Sequence, residues 1–190
     1  VAGPTRVRPA SSVLSWSLVA VTPVSRWPQR AETRTVDAMD GFHLAQLNVG
    51  TLHHALDSEE TAEFQAALDP INALAEATPG FVWRLVDDDG QSSSYVRLPG
   101  DDDPLSIVNM SVWADLDSLK HFMFKSGHAI YLRRRVEWFE RSPVATSVCW
   151  WIPAGEIPDL ADAHRRLLHL REHGSTAIGW PVNSPIDAVA

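Results

Sequence analysis

A chain of 190 residues and 21.0 kDa has room for one domain and a tail, and 45% hydrophobic against 21% charged residues is the composition of a soluble globule with a real core. A net charge of −8 and a pI near 5.4 exclude nucleic acid as a partner, because phosphates demand a basic surface. The single cysteine, Cys149, has no intrachain partner for a disulfide, and no apolar run approaches the roughly 20 residues needed to span a bilayer, so a cytoplasmic protein without membrane attachment is expected.

Residues 1–38 stand apart. Five arginines (Arg6, Arg8, Arg26, Arg30, Arg34) against two acids (Glu32, Asp37) give this stretch +3 and leave −11 for the rest. It is rich in Ser, Thr, Val and Pro and keeps no helical or strand period, so a disordered leader, or translated sequence upstream of a natural start at Met39, is expected. Residues 39–181 are read as the domain and 182–190 as a C-terminal tail.

From Phe42 onward the elements follow in order. Leu44–Leu52 reads as a strand, and Asp57 with Glu60 as a capping-box-like helix start. Phe64, Leu68, Ile71 and Ala75 repeat at helical spacing, with Pro70 expected to kink or restart the helix and Pro79-Gly80 to end it. Phe81–Val86 is the second strand, the acidic segment from Asp87 to Pro104 an exposed connection, and Leu105–Trp113 the third strand. Asp115–Phe139 is expected to be one long helix with Arg133, Arg134 and Arg135 at the negative end of its dipole. Ala145–Ile152 is the fourth strand, and Ile157–His173 a last helix closed by Gly174.

Strand, helix, strand, strand, helix, strand is the α+β, ferredoxin-like βαββαβ order, here with an extra C-terminal helix. Such a sheet stacks its helices on one face. On the fourth strand neither Val148, Trp150 and Ile152 nor Cys149 and Trp151 carries charge, so the second face is also apolar. A monomer that left it wet would expose a patch rarely tolerated in solution, which predicts a homodimer with sheets packed face to face.

Candidate chemistry is sparse. Gln46 and Asn48 share a face of the first strand, Asn109, Ser111 and Trp113 a face of the third, and Arg84 lies on the second between Trp83 and Leu85. Carboxamides and hydroxyls among apolar neighbours are the usual makeup of a small-molecule site, although the same groups can simply satisfy one another. On the long helix His128 shares a strip with Phe124, Leu132 and Arg135, while His121 falls on another. A histidine there can accept a proton or serve as a buried structural group, and Tyr131 can donate a phenolic hydrogen bond.

Other groups fail as sites. Adjacent His53 and His54 point to opposite faces of a strand, and His169 and His173 lack a third ligand, so no metal site is expected. Asp87-Asp88-Asp89-Gly90 lacks the alternate-position acids of a calcium loop. Cys149 reads as a buried apolar group, and the absence of a glycine-rich phosphate loop leaves no cofactor signature.

Several stretches carry a resemblance. They are HLAQLN at His43–Asn48, LDPINALAEATPGFVWRL at Leu68–Leu85, NMSVW at Asn109–Trp113, SGHAIYLRRRVEWF at Ser126–Phe139 and WWIPAGEIP at Trp150–Pro158. Together they resemble a bacterial domain-of-unknown-function family of the dimeric α/β-barrel superfamily, related to antibiotic-biosynthesis monooxygenases. The resemblance implies a dimeric α/β barrel. Its relatives include cofactor-free monooxygenases of polycyclic phenols, haem-degrading enzymes, haem peroxidase-like proteins and lactone isomerases. In the haem-degrading relatives a first-strand asparagine, a third-strand tryptophan and a long-helix histidine cooperate. Asn48 and Trp113 look similar, whereas His128 lies earlier on its helix, so haem ligation is not carried over to it. The expected function is a cofactor-independent, monooxygenase-like enzyme acting on a small aromatic or polyketide-like molecule. In it His128 or Tyr131 moves the proton and Asn48, Gln46, Arg84, Asn109, Ser111 and Trp113 bind substrate. The alternatives are a non-catalytic small-molecule-binding dimer and a haem-binding protein.

Overall fold

The computed structural model describes residues 41–187; the expected leader at 1–38 and the last three residues lie outside them. Four strands form one antiparallel sheet: β1 (Phe42–Thr51), β2 (Phe81–Arg84), β3 (Ser106–Trp113) and β4 (Ser147–Pro153), in the order β2-β3-β1-β4. Helix α1 (Ala62–Glu76) joins β1 to β2. Helices α2 (Leu116–Lys125) and α3 (His128–Arg134) join β3 to β4, and α4 (Leu160–His173) follows. This is the ferredoxin-like α+β topology expected from the element order.

Local structure departs from expectation at four points, each with a physical cause. Pro70 lies inside an uninterrupted α1. Its missing N–H would have served the carbonyl of Ala66, and both residues are exposed, so water takes the orphaned acceptor. The expected single helix from 115 to 139 is two helices. Ser126 Oγ bonds back to Phe122 O at 2.6 Å and accepts from the His128 N–H at 3.2 Å, ending α2 and starting α3 with one hydroxyl. A Cβ on Gly127 at this elbow would come within 3.3 Å of Leu74 Cδ2, so the glycine lets α1 approach closely. The turn also breaks the expected strip: Phe124 is exposed while His128 is half-buried.

The other two departures concern cover. The connection between β2 and β3 is buried in its middle. Ser92, Ser93 and Ser94 are buried around a 3₁₀ turn (Ser93–Tyr95), and Leu98 joins the core. Arg97 knits this segment by donating to the carbonyls of Ser94 and Pro104. The sheet face expected to wait for a second copy is covered within the chain. Ala45, Leu47, Val108, Met110, Val112, Val148 and Trp150 pack against Ala163, Leu167 and Leu170 of α4 and against Leu98. Each of those seven sheet residues is at most 1% exposed, so among the described residues they leave no open apolar area on this face.

The opposite face carries α1, α2 and α3 and two separate apolar clusters. At one end Leu44, Trp113 and Cys149 meet Ala75 of α1, Leu116 and Leu119 of α2, and Trp180. Trp180 extends the sheet by pairing its backbone with Cys149, and Val182 and Ile186, in the segment expected as a tail, pack against this cluster. At the other end Leu52 and Ile107 meet Leu56 and Trp138, with Phe64, Leu68, Tyr131 and Phe139 around them. Among the described residues no helix is long and apolar enough to cross a membrane.

Candidate functional site

Strand register decides what lies between the two clusters. Leu44 is opposite Trp113 and Trp151, which makes an apolar row across the sheet. Gln46 is opposite Ser111 and Cys149, and Ser111 is opposite Arg84, which makes the next row polar from edge to centre. Asn48 is opposite Asn109 and Ser147 in the row after that. Gly50 and Ile107 then return the surface to apolar character. A polar band therefore crosses the helix-bearing face between two hydrophobic ends. A β-bulge at Val82 turns Arg84 onto this face instead of its strict alternate, Trp83, which packs on the other side.

Asn48 and Asn109 are exposed although both sit mid-strand on the two central strands. The helical cover therefore has a gap above them. Their carboxamides stand next to each other in register and offer two N–H donors and one acceptor each. In the next row along the same face Gln46 and Ser111 are buried, and Trp113, one row further, is fully buried. Trp113 Nε1 donates to Ser111 Oγ at 2.9 Å, and Ser111 Oγ donates to Gln46 Oε1 at 3.3 Å. Arg84 is already engaged: its Nε donates to Glu76 Oε1 at 2.7 Å and its Nη1 to Gln91 O at 3.1 Å. Arg84 thus walls the band at its β2 edge.

The two proposed proton carriers sit at opposite ends of the band. The His128 ring lies 4.7 Å from Phe122, which stacks on Trp113 at 5.2 Å, and His128 Nδ1 faces Met123 O at 3.4 Å. Burial holds its pKa below the usual histidine value, against a smaller opposing pull from the Met123 carbonyl. The imidazole is therefore neutral at pH 7, and Nε2 has no hydrogen-bond partner among the described residues. Tyr131 packs instead on Trp138, ring centres 6.1 Å apart, in the second cluster. Helix α3 runs from one cluster to the other.

Helix α3 is tied to α1 across the gap. Arg134 donates to both carboxylate oxygens of Glu63, at 2.6 and 2.8 Å, and to Glu137 at 2.9 and 2.7 Å, with its guanidinium 4.9 Å from the Trp138 ring centre. Hydrogen bonds from this arginine hold both carboxyls below their ordinary pKa.

Ser147 was missed by sequence reasoning. It sits in a strand otherwise read for its aromatic residues, and only its register opposite Asn48 places it in the band. Cys149 shares the face but lies at the sheet floor, where burial pushes its thiol pKa up to about 12, which makes it inert. A surface depression of about 390 Å³ along α2 is lined by Asp117, Lys120, His121, Phe124 and Lys125. All five come from one helix and no buried polar group faces it, so the band is the stronger candidate. Among the described residues no group of three His, Cys, Asp or Glu side chains could hold a metal ion.

Fold and site together define a ferredoxin-like α+β domain with two exposed carboxamides in a polar band on the helix-bearing face of its sheet. The chain belongs to the family described as Domain of unknown function (DUF3291), whose model matches residues 43–189. No curated protein matches it. Among solved structures, SnoaB, a cofactor-independent oxygenase from Streptomyces nogalater, is 20% identical, with a TM-score of 0.38 over 60% of this chain and 95% of that one. NE2512, a protein of unknown function from Nitrosomonas europaea, is 12% identical, with a TM-score of 0.39 over 63% and 97%. Rv0793 from Mycobacterium tuberculosis is 13% identical, with a TM-score of 0.37 over 62% and 99%.

Proposed function

We propose that the protein is a cofactor-independent, monooxygenase-like enzyme that holds a small aromatic or polyketide-like molecule over the Asn48–Asn109 pair. The observation that carries this reading is the exposure of two asparagines at the centre of a sheet face that is otherwise sealed by apolar packing. Resemblance of the chain to a domain-of-unknown-function family that is itself related to antibiotic-biosynthesis monooxygenases supports the reaction class. Such chemistry needs an electron-rich substrate anion. A neutral His128 is in the protonation state to take a proton from a CH₂ flanked by aromatic rings, and carboxamide N–H groups stabilise the resulting enolate oxygen. Dioxygen then oxidises the enolate: one oxygen atom becomes the new carbonyl and the other leaves as water. Tyr131, one turn further along α3 and packed on Trp138, is the second candidate for handling a proton. The expected homodimer keeps the support of the resemblance alone, since α4 covers the sheet within one chain.

The test is oxygen uptake with anthrone. Turnover that falls at least tenfold in Asn48→Ala and Asn109→Ala, and is lost in His128→Ala, supports the enzyme. A non-catalytic binding protein is the second reading, favoured by the seating of the His128 ring between Phe122 and the Met123 carbonyl. Anthrone binding without oxygen uptake would establish it in place of the enzyme.

A further inference from the structure

The polar band contains a one-way hydrogen-bond chain. An indole N–H can only donate, so Trp113 makes Ser111 Oγ an acceptor. The Ser111 hydroxyl hydrogen then needs an acceptor of its own, and among the described residues the one in reach is Gln46 Oε1. The opposite setting of the carboxamide would present Nε2 to Ser111 and leave the hydroxyl hydrogen without a partner in a buried place, at a cost of about 1–3 kcal/mol. The chain therefore fixes which end of the Gln46 amide is turned away. Gln46 Nε2 has no hydrogen-bond partner among the described residues. Gln46 as a whole is only 7% exposed and shares its strand face with Asn48 two residues on, and its Nε2 is not among the buried atoms without a partner, so its two N–H groups are an unspent donor, still open to solvent, in the row beside the gap.

Taking the band as a ligand floor, as proposed above, we infer that Gln46 reads the ligand. It donates through Nε2 to a carbonyl, enolate or phenolate oxygen, and Ser111 and Trp113 are positioning residues that hold its amide in the donating orientation. The ligand class follows: a planar molecule that brings a bare acceptor oxygen to the floor. A donor that the bound ligand buries discriminates strongly against an analogue without an oxygen, because the donor is then left unpaired.

Anthrone and 9,10-dihydroanthracene share a ring system and differ in the carbonyl oxygen, so tryptophan-fluorescence titration of both probes tests the inference. The wild-type chain is expected to bind anthrone at least tenfold more tightly. Gln46→Glu, which has no hydrogen to donate once ionised, abolishes that preference. Ser111→Ala weakens it, Ser111→Thr restores it, and Trp113→Phe, which keeps a ring without the N–H, behaves like Ser111→Ala. If Gln46→Glu does not fold by circular dichroism, Gln46→Met supplies the same loss of donors without charge. The Gln46 side-chain NH₂ resonances, assigned by nitrogen-15 NMR, should move in Ser111→Ala before any ligand is added. An unchanged preference in the Gln46 and Ser111 variants, or equal binding of the two probes by the wild type, overturns the role of Gln46 while leaving the band as a ligand floor. Failure of the wild type to bind either probe overturns the ligand-floor reading itself, and this inference with it.

Discussion

Replacing Gly50 with alanine should loosen the apolar cluster around Phe139 at one end of the polar band. A Cβ built on Gly50 falls 2.7 Å from Phe139 Cδ1 and 2.8 Å from Cε1, well inside van der Waals contact. The ring cannot simply swing clear. The Phe139 backbone is bridged to Leu52, the Glu140 N–H donates to Thr51 O at 2.9 Å, and Phe64 meets the ring edge-on at 5.2 Å. Inserting a methyl group against a held ring costs about 1–3 kcal/mol. For a chain of this size each kcal/mol lowers Tm by about 2–4 °C, so a loss of about 2–12 °C is expected in a calorimetric melt. Phe139→Ala removes both clashing ring atoms and should absorb most of the penalty in the double variant, giving a coupling energy of the opposite sign to the single effects. Gly50 lies two residues from Asn48 on the same face, so the single variant should also weaken anthrone binding. A Gly50→Ala protein as stable as the wild type, or one whose penalty persists in full beside Phe139→Ala, would refute the packing argument.

Further outcomes follow from the same structure. Because burial depresses the His128 pKa below its ordinary 6.5, the unfolded chain binds the proton more readily. Its contribution to stability is therefore complete above about pH 6.5 and is lost as pH falls from there through the folded-state value. Urea titrations of the wild type between pH 7.5 and pH 5 should show this slope and His128→Phe should flatten it, while parallel slopes would contradict it. Leu167→Ala, at a fully buried position of α4, should cost about 2–5 kcal/mol in the same assay. A neutral result would mean that α4 does not seal the sheet. Cys149, with its thiol pushed up to about 12, should resist iodoacetamide at pH 8 in the folded protein and react on unfolding, as followed by mass spectrometry. Arg134→Met should lose the salt dependence of thermal stability that its exposed pairing with Glu63 and Glu137 confers, a small effect read by melting at low and high ionic strength.

Much of the site was legible because strand alternation is strict. Gln46 with Asn48, and Asn109 with Ser111 and Trp113, fall on common faces by counting in twos, and register then sets the two groups side by side. Arg84 reached the same face only through the bulge at Val82, which alternation does not reveal. Ser147 is one hydroxyl among apolar neighbours, and only its partner strand gives it a place. His128 was read on one continuous helix with Phe124, but the Ser126 hydroxyl broke that helix ahead of His128 and left Phe124 exposed, off the His128 strip.

Residue order alone determined the succession of strands, the α+β topology, the closing glycine of α4 and the uncharged alternation of β4, because these follow from short-range periodicity and turn chemistry. Which face receives which cover is a long-range matter, settled by where α4 and Leu98 come to rest, and no local pattern encodes it. The gap over Asn48 and Asn109 belongs to the same class of fact. It exists because two apolar clusters, built from residues as distant in the chain as Leu44 and Trp180 at one end and Leu52 and Trp138 at the other, close around the ends of a polar band and leave its middle open.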